Sequence, residues 1–81
     1  MGTITVYNGS NAAISVFVSK YSNPDGYDHW YSVAPGEVEN WGRDGWELVA
    51  FKNKDDSDRA GVYIRTNRTV TFKALDDIEV N

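Results

Sequence analysis

The side chains able to do chemistry crowd into two stretches, Asp25, Tyr27, Asp28, His29 and Trp30, then Trp41, Arg43, Asp44 and Trp46. Flat rings beside carboxylates and a guanidinium suit a ligand that offers an apolar face and a fan of hydroxyls. The rings cover C–H surface, and the polar groups exchange hydroxyl hydrogen bonds. A sugar has this character, and galactose especially so, because its axial hydroxyl leaves one face free to stack. Trp30, Trp46 and Tyr27 are then the stacking candidates, Asp25 and Asp44 the acceptors, and Arg43 or His29 the donor. Singly, each tryptophan is as well explained as a core or interface ring, and each aspartate as a turn residue. As a group they point to binding.

Catalysis finds less support. His29 is the only histidine, and no serine or cysteine nucleophile motif accompanies it. A histidine-rich metal site is excluded by the same count. A glycosidase needs two carboxyls about 5 to 9 Å apart in a cleft, and a flat sandwich of this size is not expected to supply one. The chain reads as a non-enzyme without cofactor or bound metal. The acidic stretch 53–58 invites a calcium reading, but an EF-hand counted from Asn53 has Asp58 where Gly is needed and Ile64 where Glu is needed. A solvated hairpin loop is the expectation there, with an irregular calcium site as its rival.

These residues must be positioned by strands, because apolar and polar residues alternate with period two almost throughout. Strands are expected at 3–8, 13–20, 29–33, 37–42, 46–53, 59–66 and 69–75, and the tail 76–81 can add an edge strand through Ile78 and Val80. Asn8-Gly9-Ser10-Asn11, Asn23-Pro24-Asp25-Gly26, Ala34-Pro35-Gly36 and Arg43-Asp44-Gly45 supply the turns. No segment has helical spacing. The expected fold is all-β, a single-domain two-sheet antiparallel sandwich of about seven strands, with immunoglobulin and prealbumin-like strand orders both open. If successive strands run up and down, loops 21–28, 42–45 and 67–68 gather at one end, and 8–12, 34–36 and 53–58 at the other.

Composition narrows the partners. The chain has 81 residues, no cysteine and a formal net charge of −4, so apolar burial alone must hold a thin core. An acidic balance argues against nucleic acid and anionic membranes. No signal-like segment or membrane-length apolar run is evident, so a cytoplasmic protein without membrane insertion is expected, with release by a non-classical route left open. Eleven aromatic rings exceed what so small a core hides easily. Tyr7 and Phe17, on the outward faces of the first two strands, are expected to form a homodimer patch, with a second core layer covered by the tail as the rival reading.

The strings ITVYNGS, AISVFVSKYSN, WYSVAPGE, GWELVAFKN and AGVYI resemble the family of small α-galactosyl-binding mushroom lectins that includes that of Lyophyllum decastes, over essentially the whole chain. The resemblance implies a homodimeric, non-catalytic fungal lectin that agglutinates through galactose-terminated glycans. WYSVAPGE followed by GWELVAFKN is also remotely similar to the peptide-binding β-domain of the von Hippel–Lindau protein, a prealbumin-like sandwich. Against that domain, Trp30 stands for a tyrosine, Glu47 for a histidine and Val49 for a tryptophan. A peptide-recognition domain and a calcium-dependent binding protein are therefore the rival readings.

Overall fold

In a computed structural model that describes residues 2–53 and 55–81, the alternation becomes eight strands and no helix. They are β1 (Gly2–Asn8), β2 (Ile14–Val18), β3 (Tyr31–Val33), β4 (Val38–Arg43), β5 (Trp46–Asn53), β6 (Arg59–Arg65), β7 (Arg68–Ala74) and β8 (Asp77–Val80). The order β4-β1-β7-β8 forms sheet I, and β3-β2-β5-β6 forms sheet II. The seven expected strands are all present, and the tail adds the eighth. Because β1 and β2 lie in different sheets, the order is not that of an immunoglobulin domain, whose first two strands are neighbours. Of the two orders the sequence leaves open, the prealbumin-like one is compatible.

The up-and-down alternation holds without exception. Every ladder is antiparallel apart from β1 with β7, and that pair is parallel because both are odd-numbered strands running the same way. Loops therefore sort by parity. Hydrogen bonds between Asn8 and both Gly36 and Glu37 tie one end together. At the other end Asn23 Nδ2 donates to the Gly42 carbonyl, and the Thr66 amide to that of Gly45.

Inward residues of both sheets make one core. Ile4 and Val6 of β1, Val70 and Phe72 of β7, Val16 and Val18 of β2, and Val49 and Phe51 of β5 are buried, with Phe51 and Phe72 in ring contact at 5.0 Å. Each such side chain contributes about 1.5–3 kcal/mol of burial. The same topology separates Tyr7 from Phe17, which lie on the outward faces of different sheets and so on opposite sides of the molecule. The single patch expected from them is not formed, since strands adjacent in sequence here cross between sheets.

Asn8 closes the β1 end from inside the core. Fully buried, its amide nitrogen donates to the Ala12 and Val33 carbonyls at 2.9 Å each, and its oxygen accepts from the Ser10 amide and hydroxyl. Asn8→Ala removes this donor from the buried Val33 carbonyl, while the Ala12 carbonyl keeps the Ser10 hydroxyl, and an unpaired buried polar group costs about 1–3 kcal/mol. The urea midpoint of this variant is expected to fall by that equivalent with an unchanged slope.

Candidate functional site

The connection from β2 to β3 folds back over the β4–β5 turn, and one buried ion pair makes it do so. Arg43 ends β4 and Glu47 opens β5; their side chains are 1% and 0% exposed, with Nε 3.7 Å from Oε2. Both point inward because they share strand parity with Trp41 on one side and Val49 on the other. Glu47 accepts hydrogen bonds from the Ser19 hydroxyl, the Tyr21 amide, and the amide and hydroxyl of Ser22. Arg43 donates to the carbonyls of Val18, Ser19, Tyr27 and Gly42. Two buried charges thus bind the backbone of residues 18–27 to the β4–β5 hairpin.

Burial alone pushes the Glu47 carboxyl up, yet its four hydrogen bonds outweigh that and hold it below its ordinary value. Burial likewise lowers Arg43, opposed by Glu47 and then Asp28. Gly26 sits on the guanidinium: a Cβ there would collide with Nη1 and lie 2.8 Å from Cζ, so only glycine admits this approach. Four of the five N–H groups of Arg43, expected as a ligand donor, go to backbone carbonyls, so its first role is to position this connection.

With that connection in place, a pocket of about 380 Å³ opens between the edge strands β3 and β4. Tyr27, Tyr31 and Trp41 supply its rings, and Asn23, Glu39 and Asn40 its polar groups. The rings meet edge to face: Tyr27 and Tyr31 at 6.3 Å and 88°, Tyr31 and the buried Trp41 at 6.2 Å and 85°. Tyr31 donates its hydroxyl hydrogen to Glu39 Oε1 at 3.4 Å. The Glu39 charge, with burial second, raises the Tyr31 phenol above its ordinary value and keeps it neutral. Asn40 Oδ1 accepts from Thr5, which turns its Nδ2 into the available donor.

The seven residues singled out in the sequence therefore divide. Tyr27 and the buried Arg43 both line the pocket. His29 contacts the Tyr27 ring at 5.0 Å but does not line the pocket, and Asp25 is exposed on the loop above. The Asp44 amide bonds the Ser22 hydroxyl in the turn. Trp30 and Trp46 lie elsewhere, on the outer face of sheet II, where Trp30 packs on Phe17 and Trp46 stacks on Tyr63. The loops converge as expected, but of the three expected stacking rings only Tyr27 stands at the pocket.

Tyr31, Glu39, Asn40 and Asn23 were missed. The spacing of Glu39, Trp41 and Arg43 carried a signal, since period two places all three on one side of β4. The positions matched to the von Hippel–Lindau β-domain also divide, with Glu47 and Val49 buried inside and Trp30 outside. In the 53–58 loop, whose Lys54 lies outside the described residues, Asp56 pairs with Lys52 and Arg59, and Asp55 accepts from Ser57. Among the described residues no group of three or more potential metal ligands is assembled. Searches against protein-family models, curated proteins and solved structures return no match to this chain.

Removing one partner of a buried ion pair costs about 3–5 kcal/mol, because the other charge is left uncompensated. Glu47→Gln and Arg43→Met are each expected to lose about that much in chemical denaturation, and the double variant less than their sum. The Glu47 carboxyl titrates lower in the folded than in the unfolded chain. Its contribution is therefore complete above the ordinary carboxylate range and is lost as pH falls through the lower folded value. Thermal melts between pH 7 and pH 3 are expected to show an acid-induced fall that is smaller in Glu47→Gln.

Proposed function

We propose that this protein is a non-catalytic lectin that holds a terminal α-linked galactose in the β3–β4 pocket. The observation that carries the reading is three aromatic rings and an acceptor-rich rim around about 380 Å³, near the small end of the range for ligand sites. Tyr27 and Tyr31 meet the apolar face of the sugar. Glu39 accepts hydroxyl hydrogen bonds, and Asn40 and Asn23 supply amide contacts. The α-galactosyl preference comes from the resemblance of the chain to the mushroom lectins. Agglutination requires at least two such sites on one particle, and a homodimer with one pocket per protomer meets that need.

A glycan array carries the first test, with terminal α-galactosides expected among the bound glycans; an array without them overturns the reading. Titration calorimetry with methyl α-galactoside then locates the site. Tyr31→Ala and Glu39→Gln are each expected to weaken binding tenfold or more, equivalent to about 1.4 kcal/mol. Retention of full affinity in both would remove the pocket from the proposal.

A further inference from the structure

The rings that the pocket does not use form a second surface. Strand register sets out the neighbours on the outer face of sheet II: Ser15 beside Lys52 beside Arg59, then Phe17, Ala50 and Gly61, then Leu48 with Tyr63, and Trp46 with Arg65. Ala50 and Gly61 separate Phe17 from the Leu48–Tyr63 pair, and Leu48 Cδ1 lies over Gly61. Tyr63 is 62% exposed and Trp46 51%, yet the two rings lie stacked at 5.3 Å and 17°. An exposed ring pair stacked with nearly parallel planes on a strand face is a platform rather than a core fragment.

Charge on this face has one sign. The charged side chains directed outward from β5 and β6 are Lys52, Arg59 and Arg65, in a chain whose acids outnumber its bases twelve to eight. Lys52 Nζ lies 4.4 Å from the centre of the Trp30 ring and Arg59 Cζ 5.9 Å from it, so the indole also holds the cations in place. Asp56 lies at this rim, 2.9 Å from Arg59 and 3.7 Å from Lys52, and the neighbouring Asp58 carboxylate accepts from the Arg59 amide. Arg59 and Arg65 stand at opposite ends of β6, about 20 Å apart at the usual rise of a strand.

A second copy laid symmetrically on this face would set cations against cations, which disfavours it. Beside the Trp46–Tyr63 stack a small pocket of about 230 Å³ is lined also by Arg65 and Arg68, so rings and cations lie together there, which fits a ligand that is flat, repeating and anionic. We propose that the outer face of sheet II binds an acidic polysaccharide, with a sugar ring on the Trp46–Tyr63 stack and carboxylate or sulfate groups on Arg65, Arg59 and Lys52. The bound anions displace Asp56 from its two cations. This surface is separate from the β3–β4 pocket and stands or falls independently of it.

Tryptophan fluorescence titrations with heparin and with polygalacturonate test the proposal, using neutral dextran and poly-L-glutamate as comparison polymers. Binding of at least one acidic polysaccharide is expected, weakened by added salt and unaffected by free galactose. Trp46→Ala and Arg65→Glu are each expected to weaken it tenfold or more, while Arg65→Glu keeps its thermal midpoint and any galactoside affinity. Asp56→Asn, which frees two cations, is expected to tighten it several-fold. Absence of binding to both acidic polysaccharides overturns the proposal. Equal binding of dextran removes the role of charge, and equal binding of poly-L-glutamate assigns the face to acidic polypeptides instead; either result also overturns it.

Discussion

The pocket rests on two opposite charges taken out of water together. Desolvating Arg43 and Glu47 is costly, and their Coulomb attraction repays it only when their remaining hydrogen-bonding capacity is met as well. Here it is met by backbone: four carbonyls on the guanidinium, and two amides with two hydroxyls on the carboxylate. Among the described residues no buried side-chain polar atom lacks a partner. The pair therefore acts less as a source of net stability than as a device for specifying one path for residues 18–27. Apolar side chains could fill the same volume, but they could not select which amides and carbonyls come to rest there.

From that path the division of surfaces follows. Tyr27 is carried over the open edge between β3 and β4, where Tyr31 and Trp41 already stand, and the pocket forms at the seam of the two sheets. Trp30, three residues further on, is carried round to the outside of sheet II. A domain of 81 residues without disulfides has few ways to hide eleven rings. It packs Phe51, Phe72 and Trp41 inside, sets Tyr27 and Tyr31 at the edge pocket and Phe17, Trp30, Trp46 and Tyr63 on the outer face of sheet II, and leaves Tyr7 on the outer face of sheet I and Tyr21 exposed in the β2–β3 connection.

Much of the site was concealed by this distribution. The turn chemistry of residues 23–26 and 43–45, joined to strand parity, places both loops at one end, as their hydrogen bonds show. Parity also held a clue that went unused: Glu47 shares its face with Val49 and Phe51, and a carboxylate on a core face demands a buried cation. Arg43 answers that demand, and its role could have been anticipated from the same rule. The direction in which Trp30 and Tyr27 leave a loop cannot be anticipated in this way, because a loop has no period.

Period-two alternation was sufficient in the sequence to determine seven strand positions, an optional edge strand in the tail and the sorting of loops between two ends, since a strand's side chains have only two sides to occupy. Which strands became neighbours was decided by tertiary structure, through contacts far apart in the chain such as Val6 with Val70 and Val16 with Phe51. Tertiary structure also decided that Glu39 and Tyr31, on edge strands of different sheets, meet across a seam. Side-chain alternation is a local property of backbone geometry. The meeting of two sheet edges depends on how the whole core packs, and no single segment encodes it.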